Sequence, residues 1–258
     1  MKKIQSRDNA FYKSLVKLAG SSRARRQSSS TILDGIHLIQ AYAASGQTAQ
    51  ALIFRDSNLE TAEVRGLVGT YAAEHTYVLA DGLFDSVAQV ATPTGIMALV
   101  STPPPLTPPD RVGDAVLLEE IQDPGNLGSI LRSAAAAGIT EIFLSRKSIF
   151  AWSPKVLRAG MGAHFKLAIY EDINLPDLLV RRDGLALATD VVGGTSLFET
   201  KLHGPVSWIF GNEGAGVSPV LMQAADTRVH IPMPGRSESL NVAAAAAICL
   251  FEQTRQRR

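Results

Sequence analysis

Val206-Ser207-Trp208-Ile209-Phe210-Gly211-Asn212-Glu213-Gly214-Ala215-Gly216 is the stretch on which the fold turns. Its first five residues read as a buried strand, and the strand stops abruptly at a loop with three glycines in six residues. A strand that is apolar without alternation belongs to a sheet covered on both faces, which usually means parallel strands joined by helices. Ligands in such sheets sit at the carboxyl ends of the strands, so the loop over 211–216 is where chemistry is expected. Glycine there permits positive φ and close approach of backbone to a ligand. The spacing is neither G-x-G-x-x-G nor a phosphate loop, because the Lys-Ser/Thr pair is missing. Glu213, inside the loop, needs a polar role.

Outward from that strand the alternation repeats. Strands are expected over 115–118, 141–144, 166–169, 185–188 and 228–231, with helices over 127–137, 154–160, 175–182, 219–225 and 240–256. Residues 111–258 therefore read as an α/β domain with a mostly parallel sheet. Ahead of it, strands over 51–55, 76–79 and 95–100 alternate with helices over 34–44, 58–73 and 83–90, a small α/β sandwich over 31–102. Between the two, 103–110 is a linker: five prolines within Thr102–Pro109 exclude helix and central strand.

Two more strand ends carry unusual residues. After 115–118 comes Gln122-Asp123-Pro124-Gly125-Asn126-Leu127-Gly128-Ser129-Ile130-Leu131-Arg132. Asn126 reads as the N-cap of the following helix, with Asn126, Ser129 and Arg132 on one face near its positive end, a place for an anion. A capped helix with a solvated arginine is the plain alternative for this loop alone. After 228–231 comes Ile231-Pro232-Met233-Pro234-Gly235-Arg236-Ser237-Glu238-Ser239-Leu240-Asn241-Val242. Here Ser239 reads as an N-cap, Asn241 falls in the first turn, and an alanine run suited to tight packing follows.

Taken together, N-x-G-x-I-x-R (Asn126 to Arg132), F-G-N-E-G-x-G (Phe210 to Gly216) and I-P-M-x-G-x-x-x-S-L-N-V-A-x-A (Ile231 to Ala245) resemble, in order and spacing, the three signature motifs of the SpoU/TrmH family. These are RNA ribose 2′-O-methyltransferases of the SPOUT superfamily. Residues 31–35 and 92–98 are similar to the RNA-binding accessory domain of members that act on ribosomal RNA. The resemblance implies a deep trefoil knot in 111–258, contrary to ordinary chain topology. It implies S-adenosylmethionine as cofactor, held at Gly211, Ile231 and Leu240, with Thr189 as a further candidate. It also implies a homodimer in which Arg132 faces the partner's cofactor. The catalytic set carried over is Asn126, Arg132, Glu213, Ser239 and Asn241. Arginine is a poor base, so Arg132 is expected to anchor an RNA phosphate and stabilise the developing alkoxide, with Glu213 either holding it or orienting the loop. Asn126 and Ser239 would position the ribose, and Asn241 would fix its loop. The substrate implied is ribosomal RNA; a transfer RNA ribose methyltransferase, a base-nitrogen methyltransferase and a non-catalytic RNA-binding protein of the same fold are the competing readings.

Composition agrees with a soluble, cytoplasmic RNA enzyme. The chain is 258 residues long, 46% hydrophobic and 19% charged, which suits a sizeable core. Its net charge of +1 hides a segregation: +7 over residues 1–26, −6 over 27–110 and zero over 111–258. The basic segment over 1–30 suits a polyanion. Its interleaved Ile4, Phe11, Tyr12, Leu15, Val16 and Leu18 suggest a short amphipathic helix, whose deletion should weaken RNA affinity and spare the cofactor. The single cysteine, Cys249, excludes an internal disulfide and reads as a packed small hydrophobe. No metal is expected, since His37, His75, His164, His203 and His230 show no ligand spacing. No apolar run is long enough to cross a bilayer, and no apolar core follows the N-terminal charges, so neither a membrane span nor a secretory signal is expected.

Overall fold

The computed structural model describes residues 1–61, 64, 71, 73–88, 93–191, 193–235 and 238–258. The chain forms two compact units, one of residues 1–104 with 152–165, the other of 105–151 with 166–258.

The first unit is built on a five-stranded sheet in the order β1-β4-β3-β5-β2. Its strands are β1 (Lys2–Ile4), β2 (Ser30–Asp34), β3 (Ala49–Arg55), β4 (Ala73–Leu79) and β5 (Ile96–Ser101). β1, β4 and β3 run parallel, while β5 is antiparallel to both β3 and β2. Helices α1 (Ala10–Gly20) and α4 (Asp81–Val87) contribute Leu15, Leu18, Leu83 and Phe84 to a cluster with Ile4, Ile53 and Met97. The alternate strand residues Leu52, Phe54 and Ala98 are equally buried, so both faces are covered. Helix α3 (Ile36–Ala44) and α6 (Pro154–Gly160) pack against β2.

This unit differs from the sequence expectation in two ways. The basic stretch is part of the core: β1 pairs with β4, and Leu15 is fully buried. Deleting residues 1–26 would remove an edge strand and half of one apolar layer, so it does not isolate RNA binding. Helix α2 (Ser22–Ser28) buries Arg25, whose guanidinium donates to the carbonyls of Leu18 and Ala19, closing the end of α1. Second, 152–165 joins this unit although the sequence assigns it to the following domain. The Thr31 hydroxyl donates to the Trp152 carbonyl at 2.7 Å, and Arg158 pairs with the largely buried Asp34 at 3.0 Å. Most of the helix expected over 58–73, and the end of that over 83–90, lie outside the described residues.

The second unit carries a seven-stranded, wholly parallel sheet in the order β10-β12-β9-β11-β6-β7-β8. The strands are β6 (Ala115–Leu118), β7 (Glu141–Ser145), β8 (Ala168–Ile173), β9 (Leu185–Thr189), β10 (Thr195–Ser196), β11 (Val206–Phe210) and β12 (Thr227–His230). β6 and β11 are central and buried throughout, as their apolar sequences demand. One face packs on α7 (Leu175–Leu179) and α8 (Pro219–Ala224) through Leu117, Ile209, Leu178 and Leu221. Helices α5 (Pro124–Ala137) and α9 (Val242–Gln256) pack on each other, burying Leu127, Ile130 and Leu131 from α5 and Ala246, Cys249 and Leu250 from α9. The end of α9 is fastened to the sheet: Trp208 donates to Gln253, Gln253 to Asp114, and Arg257 pairs with Asp114.

Boundaries move where capping decides them. The strand expected at 166–169 begins at Ala168, because 163–166 forms a 3₁₀ turn. The helix expected over 175–182 stops at Leu179, where Arg182 turns back to the Leu179 carbonyl and to Asp226.

Candidate active site

The loops after β6, β11 and β12 meet in the second unit through one connected set of hydrogen bonds. Asn212 organises the loop after β11. Its backbone exchanges two hydrogen bonds with Gly216 (3.1 and 2.8 Å), and its side-chain oxygen accepts from the amides of Gly214 and Ala215. Its side-chain nitrogen donates to the Glu120 carbonyl at 2.8 Å, tying the loop to the one after β6. Glu119 adds a second tie by accepting from the Ser218 amide at 2.7 Å. Closure is tight: a Cβ on Gly211 would lie 2.1 Å from the backbone of Gly216 and Val217.

Glu213 then crosses to the start of α5. Its carboxylate accepts from the amides of Gln122 and Asp123 and from the Asn126 side chain, at 3.2, 3.0 and 3.1 Å. Burial pushes this carboxyl upward, but the Asp123, Asn126 and Gln122 hydrogen bonds outweigh it and hold it below the ordinary glutamate value. The oxygen of Asn126 accepts from the Asn241 side chain at 2.9 Å. Asn241 in turn accepts from the amides of Ala243 and Ala244, capping α9. Glu213, Asn126 and Asn241 thus form one polar line through all three loops.

Three expectations are corrected by this geometry. Asp123, not Asn126, caps α5, with Pro124 in the first helical position; Asn126 is left free to face Glu213 and Asn241. Asn241, not Ser239, caps α9, so the helix begins at Val242. Arg132 is exposed on α5, and among the described residues it has no hydrogen-bond or ion-pair partner. Of the two roles expected for Glu213, its hydrogen bonds to Gln122, Asp123 and Asn126 agree with orienting the loop and not with holding Arg132. Six residues along a helix turn through about 240°, so Asn126 and Arg132 do not share a face. Arg236 and Ser237 lie outside the described residues.

A cavity of about 380 Å³ opens between the second and third loops. It is lined by all four expected cofactor positions, Thr189, Gly211, Ile231 and Leu240, and by Glu213 and Ser239. Its size is that of a small-molecule site. Val191, Ile231, Met233 and Leu240 give it apolar walls, while Asp190, Glu213 and Glu238 are its charged side chains among the described residues. An apolar slot with acidic edges fits S-adenosylmethionine, which carries a flat base, a sulfonium and an ammonium group. The sequence gives no role to Asn212, Glu119 or Asp123; an asparagine directly after a strand and its glycine is the available signal for the first. Among the described residues no group of His, Cys, Asp and Glu side chains is placed to hold a metal, and no helix is long and apolar enough to cross a membrane.

Known proteins match this arrangement. The SpoU rRNA Methylase family model matches residues 114–251. The chain is 33% identical to an uncharacterized tRNA/rRNA methyltransferase of Synechocystis sp., over 98% of this chain and 93% of the relative. It is 30% identical to the 23S rRNA (guanosine(2553)-2′-O)-methyltransferase of Bacillus subtilis, over 97% of this chain and 98% of the relative. In three dimensions it resembles the SpoU methyltransferase AviRb from Streptomyces viridochromogenes in complex with AdoMet, with a TM-score of 0.85, 25% identity, and 96% and 98% of the two chains covered. It likewise resembles an RNA 2′-O ribose methyltransferase, with a TM-score of 0.83, 26% identity and 99% of both chains covered.

Proposed function

The chain belongs to the SpoU rRNA methylase family, and from that premise we propose how its residues divide the work. It is an S-adenosylmethionine-dependent RNA ribose 2′-O-methyltransferase acting on ribosomal RNA. The observation that carries the site assignment is the Glu213–Asn126–Asn241 line, which joins the three motif loops beside a single cavity.

Bound S-adenosylmethionine supplies a methyl group on a positively charged sulfur. Thr189, Gly211, Ile231 and Leu240 hold it, mainly by backbone and apolar contact. Glu213 and Asn126 are positioning residues: they fix the loop after β11 against α5. Asn241 sets the start of α9, and Ser239, on the cavity wall, orients the ribose. Arg132 anchors an RNA phosphate and stabilises negative charge growing on the 2′ oxygen, a role for a fixed cation rather than a base.

Arg132 does not line the cavity of its own chain. A homodimer through α5 and α9 would supply it to the partner's cavity, and the exposed Ala244 and Phe251 on α9 support that surface. The placing of Ile231, Met233 and residues 238–240 on one cavity with residues 211–214 supports the knot. A ribosomal RNA substrate supports a cytoplasmic location. Residues 31–102, with β1 and α1, serve as the RNA-binding accessory part, and 103–110, which carries no helix or strand, as the linker.

The test is Arg132→Ala. Methyl transfer to ribosomal RNA from a strain lacking the gene should vanish, while cofactor affinity and dimer mass stay at wild-type values. Near-normal turnover would remove Arg132 from its assigned role.

A further inference from the structure

A second cavity, of about 350 Å³, lies at the same end of the second unit's sheet, over the carboxyl ends of β6, β7 and β8. Its floor is apolar, made by Ile173, Leu175 and Leu221, and its rim carries Glu120, Arg146 and Lys147. Lys147 pairs with one oxygen of Glu120 at 3.0 Å. Arg146 is exposed and, among the described residues, has no partner. Its Glu119–Glu120 wall is tied to the loop after β11, since the Glu120 carbonyl accepts from Asn212, which lines the first cavity, and the Glu119 carboxylate from the Ser218 amide. Glu120 holds a left-handed φ of 52°, fixed by its amide donating to Ser145 at 2.8 Å. A bulky residue keeps such a conformation only where its surroundings impose it.

We propose that this cavity takes a nucleotide of the RNA substrate that flanks the methylated one. Its phosphate sits on Arg146, and its base lies over the Ile173–Leu175–Leu221 floor with an exocyclic amino group on the free oxygen of Glu120. The size fits a small organic ligand. An unpaired guanidinium matches a phosphate, and a carboxylate accepts from a base amino group. An unstacked base seeks an apolar face. The first cavity is lined from the ends of β9, β11 and β12 and the second from those of β6, β7 and β8, adjacent groups of strands in one sheet with a strand spacing of about 4.8 Å, so an RNA strand laid along this edge meets both cavities. The inference rests on the chain's action on ribosomal RNA.

Two measurements test it. The first follows tritium transfer to deproteinised ribosomal RNA from a strain lacking the gene. Arg146→Ala should raise KM for RNA about tenfold, as for one lost charge-assisted hydrogen bond, with kcat and S-adenosylmethionine affinity unchanged and partial recovery in Arg146→Lys. The second titrates S-adenosylmethionine-saturated protein with guanosine 5′-monophosphate and follows amide shifts by NMR. Residues 145–147 and 172–174 should move with the nucleotide, and Arg146→Ala should abolish the movement. Inorganic phosphate should move only 145–147. An unchanged KM in a folded Arg146→Ala protein overturns the proposal, as do nucleotide shifts elsewhere on the protein. Wild-type protein that transfers nothing to ribosomal RNA would instead refute the substrate reading.

Discussion

The three glycines of the loop after β11 should respond very differently to alanine, in an order set by geometry alone. A Cβ on Gly211 would meet the Gly216 carbonyl carbon and the Val217 nitrogen at 2.1 Å, and the Gly216 oxygen at 2.2 Å. Non-bonded carbon atoms rest near 3.5–4.0 Å. Backbone, not a movable side chain, must therefore retreat by more than about 1 Å, against the paired Asn212–Gly216 hydrogen bonds. Overpacking of this kind costs about 1–3 kcal/mol. If that falls on the cofactor-competent loop, S-adenosylmethionine affinity drops roughly five- to 150-fold. Gly216 has open space but a φ of +70°, so Gly216→Ala should cost about 1–2 kcal/mol from backbone strain. At Gly214 a Cβ would sit in ordinary contact, 3.6 Å from the Asn212 side chain, so Gly214→Ala should bind within about twofold of wild type. Calorimetric titration of the three variants, each checked for an intact thermal transition, reads the order. Wild-type affinity in Gly211→Ala, or a larger loss in Gly214→Ala than in Gly211→Ala, would refute the closed-loop account.

Asn126→Asp keeps the oxygen that accepts from Asn241 but replaces the donor to Glu213 with a second carboxylate about 3 Å away. It should lower kcat/KM for methyl transfer at least about tenfold at neutral pH, and activity within twofold of wild type would show the Glu213–Asn126 bond to be dispensable. The pH response of the wild type follows from the depressed Glu213 carboxyl. A depressed group contributes its full stabilisation above its ordinary value and loses it as pH falls through the folded value. Cofactor affinity should therefore stay flat from neutral pH down to about 4.5 and weaken only below, while Glu213→Gln should be weaker and flat throughout. A wild-type step between pH 7 and 5 that Glu213→Gln removes would contradict the assigned direction.

Sequence pattern was most informative where one property decided the outcome. β6 and β11 are legible to the residue because an apolar run flanked by polar residues has nowhere to lie but the sheet centre. The cavity between the second and third loops gathers Gly211, Ile231 and Leu240 from the motifs together with Thr189 for a related reason: Thr189, Gly211 and Ile231 stand at strand ends, and the topology brings those ends together. The caps are not legible because several candidates compete. Asp123 and Asn126 both suit an N-cap, and only the Glu213 contact shows which is occupied elsewhere. The glycines illustrate the same limit. The sequence offers positive φ and close backbone approach for all three alike, yet positive φ explains Gly216, steric closure explains Gly211, and neither explains Gly214. Arg25, one charge among eight in the basic stretch, is a buried helix clasp rather than an RNA contact. Membership of 152–165 in the first unit was not legible, because it depends on Asp34 and Thr31, more than a hundred residues away.

That last excursion has a consequence for how this architecture can be inherited or dismantled. The chain passes between its two units three times, near 104, 151 and 165, so the proline run is only one of the connections. A gene cut at the prolines would leave α6, with its buried Val156 and Leu157, stripped of the strand that shields it, and would leave Asp34 without its guanidinium. The front portion is therefore not a cassette that recombination could append or exchange at a single junction. Any chimera has to graft the front portion and the segment between β7 and β8 at once.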